Sequence, residues 1–287
     1  MQRIGRWPFR GLSRFACAAF LGAGLTGCEA PSPFDQTLAS NNPGTRVLRT
    51  DTNPADVPFN VRDLSNSFED IVFQYEFHFR DGILIRAPIE KPLKRWEGTI
   101  RYQLIGDAVE QRDIQTVAHL TARLSTLTGL QFTAVDQAPD MQISIATAKG
   151  RREISQMLGE TGQDIYRQRY DLWRRTPGWV CGATLSSDAN DRNRLVQAHI
   201  FLPAEASGLR RQACLHEEIV QSLGLTNDSD RARPSIFNDD QEFALLTTHD
   251  EILVAALYDP RLSPGMNAGQ ATPIARRIFE ASMQRVE

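Results

Sequence analysis

The stretch Cys214-Leu-His-Glu-Glu-Ile-Val-Gln-Ser-Leu-Gly-Leu-Thr-Asn-Asp228 decides how the rest of this 287-residue chain is interpreted. Its apolar residues recur at helical spacing and, with the turn before it, form one apolar arc of Leu209, Ala213, Leu215, Ile219, Val220 and Leu223. Glu217 and Gln221 lie one turn apart on a neighbouring face. The pattern predicts a half-buried helix over residues 209–223 that ends at Gly224.

The polar positions of this helix resemble the active-site helix of the metzincin zinc peptidases, His-Glu-x-x-His-x-x-Gly-x-x-His/Asp. Here the same frame runs Glu-Glu-x-x-Gln-x-x-Gly-x-x-Asn from residue 217 to residue 227, and an aspartate follows. Residues 234–239 and 246–258 resemble the turn and the next helix of the matrixin branch, although Ile236 or Phe237 takes the place of the methionine. The resemblance covers roughly residues 97–258.

Two longer phrases are similar to a second family. Glu-Glu-x-x-Gln-x-Leu-Gly-Leu-x-Asn-Asp and Leu-Tyr-Asp-Pro-Arg-Leu-x-Pro-Gly-Met resemble a proteobacterial family of predicted lipoproteins, which is known only as a domain of unknown function. This second resemblance is specific, but it implies no activity.

The remaining pattern indicates an α+β (mixed) fold. Strands are predicted over 71–77, 83–86, 99–105, 130–135, 141–146, 179–185 and 195–202, and helices over 114–127, 151–170, 243–258 and 274–286. The metzincin resemblance implies a zincin-like arrangement: a twisted mixed β-sheet backed by a long helix, with the motif helix beneath it and further helices at the C-terminus.

The N-terminus indicates export. Residues 1–14 carry four arginines and no acid, an apolar run follows, and Leu-Thr-Gly-Cys ends at Cys28. This ending resembles a bacterial lipobox, which implies cleavage before Cys28 and a lipid on its thiol. Glu29 follows it, and lipoprotein sorting then implies the outer membrane. We expect a protein of the bacterial cell envelope that is anchored to the membrane through lipid and faces the periplasm.

Five segments are predicted: a lipoprotein signal peptide at 1–27, a flexible tether at 28–66, an N-terminal strand extension at 67–96, a zincin-like domain at 97–258 and a C-terminal helical tail at 259–287. Removing the signal leaves 28 basic against 35 acidic side chains, a net charge of −7. Because this balance is acidic and no basic cluster offsets it, we expect no nucleic-acid partner.

Two cysteines remain after export. Cys17 leaves with the signal and Cys28 carries the lipid, so Cys181 and Cys214 form an even pair in an oxidising compartment. The expectation is a disulfide, and two buried free thiols are the alternative.

The metzincin resemblance implies candidate site residues. Glu218 takes the catalytic base position, and the metal-ligand positions fall on Glu217, Gln221, Asn227 and Asp228. These side chains offer oxygen donors, which suit Ca²⁺, Mg²⁺ or Mn²⁺ better than zinc. The cofactor is unknown, and a divalent metal is the candidate. His216 is an alternative ligand in a shifted register, but it lies inside the apolar arc, which favours a structural role.

Two functional hypotheses follow. In the first, the domain is a degenerate metzincin-like module whose cleft binds an envelope polypeptide with little or no catalysis. In the second, it is an active, peptidase-like metallohydrolase with an unusual Glu/Gln/Asn(Asp) metal site.

Overall fold

The computed structural model describes residues 48–80, 83–175, 180–238 and 241–286. The predicted signal peptide, Cys28 and residues 28–47 of the predicted tether lie outside this part. The fold is mixed α+β, as the sequence pattern predicted. Its elements are α1 (Val61–Val72), β1 (Gln74–Arg80), β2 (Ile83–Glu90), β3 (Arg95–Trp96), β4 (Thr99–Ile105), α2 (Gln111–Thr128), β5 (Gln131–Ala134), β6 (Met141–Ala146), α3 (Ala148–Glu160), α4 (Asp164–Trp173), β7 (Gly182–Ser187), β8 (Arg194–Pro203), α5 (Gly208–Gln221), α6 (Thr248–Leu257) and α7 (Ala268–Val286). Among these helices, none has the length and apolar character needed to cross a membrane.

The main sheet has six strands. Along it β3, β8, β6, β4 and β5 are neighbours and run parallel, while β7 pairs antiparallel with β8. A separate antiparallel hairpin consists of β1 and β2. Within the described residues β7 pairs with β8 alone, so its other edge has no strand partner.

Strand β8 contributes to two cores because successive side chains point to opposite faces of a sheet. Ile200 and Leu202 belong to the large core that also contains the buried sides of α2 and α5. Phe201 points to the other face, where it packs on Tyr170 of α4 with ring centroids 4.8 Å apart. Trp173 completes this smaller aromatic core. Helices α3 and α4 therefore cover the face of the sheet that is opposite α5.

Helix α5 is fixed at both ends by buried polar contacts. Near its start, Arg211 donates to the Asp113 carboxylate of α2 at 2.6 Å, and both side chains are buried. Beyond its end, the Tyr258 hydroxyl donates to the Leu223 carbonyl at 2.9 Å and accepts the Trp96 backbone N–H. These contacts set the position of the motif helix relative to α2, β3 and the end of α6.

The folded part begins earlier than the sequence indicated. Helix α1 starts within the predicted tether, where Asn60 and Asp63 form a capping box, and its Leu64 is fully buried. Arg49 pairs its backbone with Glu242 and Ala244. Part of 48–66 is thus packed structure, and the predicted strand at 71–77 is divided between the last turn of α1 and β1.

The helix predicted over 243–258 is also shorter than expected. Its N-cap is Thr247, whose hydroxyl accepts the Asp250 N–H while the Asp250 carboxylate accepts the Thr247 N–H. This reciprocal pair fixes the helix start at Thr248, so Phe243 lies in extended chain beside Arg49.

Candidate functional site

A cleft of about 440 Å³ lies along the unpaired edge of β7. Four consecutive residues of β7, Gly182–Leu185, line one side of it, and Tyr75, Glu76 and Phe77 of β1 line another. Trp173 of α4 also borders the cleft. The last residue of the motif helix, Gln221, reaches its lining as well. The cleft thus lies where the edge strand, the β1–β2 hairpin and α5 meet.

Glu218 lies on α5 about one turn before the cleft residue Gln221 and is 3% exposed. Its Oε2 atom is buried and has no hydrogen-bond partner among the described residues. Burial raises the pKa of this carboxyl well above its usual range, and the nearby carboxylates of Asp228 and Glu76 raise it further. The shift favours the protonated form of this carboxyl. A protonated carboxyl can donate a proton, but it cannot accept one, as a general base must.

The structure brings together Gln221 and Asp228 from the predicted ligand set, with the Gln221 Nε2 donating to Asp228 Oδ1 at 3.2 Å. The Asn227 amide nitrogen instead donates to the backbone carbonyls of Asp70 and Asp228, at 3.1 and 2.7 Å. Glu217 is partly buried on the neighbouring turn of α5.

This donor set does not fit a bound metal ion. In the described part of the chain, no three His, Cys, Asp or Glu side chains form a group that could hold a metal. Gln221 and Asn227 both use their amide N–H groups on acceptors within the fold, which suits a structural network. The arrangement therefore supports no step that depends on a resident metal.

His216 is half-buried and makes a structural contact. Its Nδ1 accepts the Leu246 backbone N–H at 3.1 Å, so this lone pair is not available to a metal. Burial lowers the pKa of His216 to about 4, although the Asp250 carboxylate opposes the shift. The imidazole is neutral at physiological pH and links α5 to the segment before α6.

The segment at the position of the matrixin turn is held by Asp250. Its carboxylate accepts the Ser235 hydroxyl and the Ile236 N–H, the latter at 3.1 Å, and it also accepts the Thr247 N–H. Ile236 and Phe237 are both buried in the main core. This turn is a packed support beneath α5.

A disulfide joins Cys181, which immediately precedes β7, to Cys214 of α5, with the two Cα atoms 6.0 Å apart. The predicted pairing is confirmed. It links the strand that lines the cleft to the helix whose last residue, Gln221, also lines it.

Two parts of the cleft were not identified from the sequence. Glu76 comes from β1, and Lys94 comes from the segment that connects β2 to β3. Neither lies in a recognisable motif, and both reach the cleft only through tertiary packing of the hairpin against residues 224–226. One such contact is the Glu76 backbone N–H, which donates to the Thr226 carbonyl at 3.1 Å.

A sequence family described as "Protein of unknown function (DUF2927)" matches residues 61–277. The match includes α1, which precedes the metzincin-like stretch, and most of α7, which follows it. No curated protein matches the chain.

Proposed function

Because the chain belongs to the DUF2927 family, whose function is not known, we propose its function from the cleft. It is a lipid-anchored protein of the bacterial cell envelope, located at the outer membrane and facing the periplasm. Its degenerate metzincin-like domain binds an extended polypeptide without cleaving it.

The observation that carries this proposal is the unpaired edge of β7 along the cleft. An edge strand presents a row of backbone N–H and C=O groups that an extended peptide can pair with. Gly182–Leu185 lie along the cleft itself, so a paired peptide would lie inside it. Apolar contacts with Phe77 and Trp173 are available to alternate side chains of such a peptide.

The chemistry at the end of α5 favours binding over hydrolysis. The raised pKa of Glu218 favours its protonated form, and the Gln221 amide is paired with Asp228. Peptide hydrolysis by a metzincin-like site needs a Lewis acid and an ionised base to activate water. The described residues supply neither of these in the arrangement required.

The placement of the helices supports the metzincin-like part of the proposal. The mixed sheet is backed by the long helix α2, and α5 lies beneath it and ends at Gly224, as that resemblance implies. The Cys181–Cys214 disulfide supports an oxidising compartment, in which such bonds persist.

Binding is tested with a soluble form of residues 29–287 and a fluorescein-labelled octapeptide of alternating threonine and valine. We expect fluorescence anisotropy to rise on binding. The same peptide N-methylated at alternate backbone positions should lose binding in one of the two methylation registers, because strand pairing needs its N–H groups. Equal binding of all three peptides would contradict pairing with β7.

A matched pair of variants locates the peptide. Ala183→Trp fills the cleft beside β7, whereas Ile114→Trp adds the same side chain on the exposed face of α2. Only Ala183→Trp should abolish binding. Chromatography of the peptide after incubation with Zn²⁺, Ca²⁺ or Mn²⁺ should recover it intact. A cleavage product would instead support the metallohydrolase hypothesis.

Anchoring is tested separately in a bacterial host by fractionation. The full chain should appear in the outer-membrane fraction. The Cys28→Ser variant lacks the thiol that carries the lipid, so it should no longer appear in that fraction. An unchanged distribution of Cys28→Ser would contradict the lipid anchor and leave the binding proposal unaffected.

A further inference from the structure

The ammonium groups of Lys91 and Lys94 both lie close to the Tyr75 ring, on the β1 side of the cleft. The Lys91 Nζ lies 5.3 Å from the centroid of the Tyr75 ring, and the Lys94 Nζ lies 5.8 Å from it. Cation–π contact stabilises both ammonium groups but does not neutralise their charge. Lys94 and Arg169 of α4 line the same cleft together with one acidic residue, Glu76, so cationic side chains outnumber acidic ones here in a protein whose formal net charge is −3.

Lys91 is buried, with 6% of its surface exposed, and its Nζ donates to the Gly224 carbonyl at 3.3 Å. Burial lowers the pKa of Lys91 to about 7, and the charge of Lys94 contributes to the same shift. In the part of the chain that the structure describes, neither lysine forms an ion pair with a carboxylate. Lys94 is half-buried and lines the cleft, so its ammonium can meet a ligand anion there.

Lys94 places this charge at the end of the edge strand. Its Nζ donates to the Ser187 Oγ at 3.3 Å, and Ser187 is the last residue of β7. The Ser187 oxygen accepts from Lys94, so its own O–H can donate to an incoming anion. Backbone pairing along β7 stops at the point where the ammonium and the hydroxyl are located.

We propose that the cleft binds the C-terminal end of a polypeptide, with its free carboxylate at Lys94 and Ser187. This inference rests on the proposed function and names its substrate class. Because β7 runs from Gly182 to Ser187, the bound peptide runs parallel to β7 and ends beside Ser187. Tyr75 and Phe77 line the same wall, so the last side chain is apolar or aromatic.

The test compares two octapeptides of threonine and valine that end in phenylalanine, one a free acid and the other a C-terminal amide. Charge-assisted hydrogen bonds contribute more than neutral ones, so wild-type protein should bind the acid about tenfold or more tightly than the amide. Lys94→Gln should remove this preference by weakening the binding of the acid, and an unchanged midpoint of thermal unfolding shows that the variant is folded. Lys149→Gln is the matched control, since Lys149 is exposed on α3 and pairs with Glu153.

Each of the other possible outcomes would contradict a different part of the proposal. Equal affinity of the wild-type protein for acid and amide would overturn the carboxylate site but leave polypeptide binding standing. A preference that persists in Lys94→Gln would overturn its assignment to Lys94. If neither peptide binds, the proposed function fails and this inference fails with it. If phosphatidylglycerol vesicles displace the acid, the anion recognised is a lipid headgroup, and the peptide assignment is overturned.

Discussion

Glu218 occupies a buried position at which the ionised form of its carboxyl is unfavourable. Its carboxyl is buried, and the acidic side chains of Asp228 and Glu76 are close enough to disfavour its ionised form further. The sequence pattern of the motif helix places a glutamate at this position, but the spacing alone carries no information about its protonation. Burial is the main cause of the raised pKa, and a smaller contribution comes from Glu76, which the fold brings from a strand more than 140 positions away.

Glu218→Gln should stabilise the protein at neutral pH. The folded-state pKa of Glu218 is raised, so its contribution to stability is fully present below the unfolded pKa, near 4.3, and is lost as the pH rises through the folded pKa. Across that window the unfolding free energy of the wild type should fall relative to the variant by about 1.4 kcal/mol per pH unit. Urea unfolding of both proteins from pH 4 to pH 8 measures this difference. A constant difference would show that Glu218 is ionised.

Gly224 is required by backbone geometry. Its φ is +121°, and a Cβ there would lie 2.3 Å from the Lys94 carbonyl oxygen. Gly129 provides a control, because its φ of +75° is also positive but nothing lies within 4 Å of the added Cβ. Gly129→Ala should cost about 1–2 kcal/mol, from backbone strain alone. Gly224→Ala should cost more than about 3 kcal/mol, because overpacking is added. Thermal unfolding compares the two, and equal costs would contradict the close approach to Lys94.

At the scale of elements, the sequence predicted the strands and helices that have a local pattern of apolar residues. The strand alternation of β4, β6 and β8 and the apolar arc of α5 identified all four to within a few residues. Helix α1 was missed because its composition is polar. Its signal was present in Leu64, Phe68, Ile71 and Val72, which have helical spacing behind the Asn60 cap. The pairing of β7 with β8 depends on contacts that no local pattern encodes.

The disulfide that joins Cys181, just before β7, to Cys214 of α5 should stabilise the protein. It closes a loop with a sequence separation of 33, and the chain-entropy model gives about 3–4 kcal/mol for a loop of this length. The double variant Cys181→Ser/Cys214→Ser should lose that amount in urea unfolding, and wild-type protein in a reducing agent should lose the same. A loss well below 1 kcal/mol would mean that other contacts already restrict the loop.

For the whole molecule, the predicted domain boundaries at residues 97 and 258 do not coincide with the limits of the main hydrophobic core. Leu64 and Phe68 of α1 and Phe279 of α7 belong to the same core as α5, and the Phe68 and Phe279 rings lie 5.7 Å apart. The site was predictable only where it depends on the motif helix, through Glu218, Gln221 and Asp228. Glu76 and Lys94 enter from outside the stretch that carries the resemblance.

A chain of residues 97–258 alone should therefore not fold. Each fully buried large apolar side chain that loses its partners costs about 1.5–3 kcal/mol, and several are removed with α1 and α7. Their sum exceeds the stability of about 5–15 kcal/mol that is typical of a domain. Circular dichroism in the near ultraviolet should show fixed aromatic packing for 48–287 and none for 97–258. A cooperative transition in the shorter chain would contradict a shared core.

The division of β8 between two cores has a consequence for hydrogen exchange. The aromatic core of α3 and α4 is small and lies on its own face of the sheet, so these helices can open without exposing the core of α5. Their amides should exchange at lower protection than those of α5, as a separate cooperative unit. Because Trp173 borders the cleft, each such opening would also widen it. Access to the cleft would then be set by the local stability of this pair of helices.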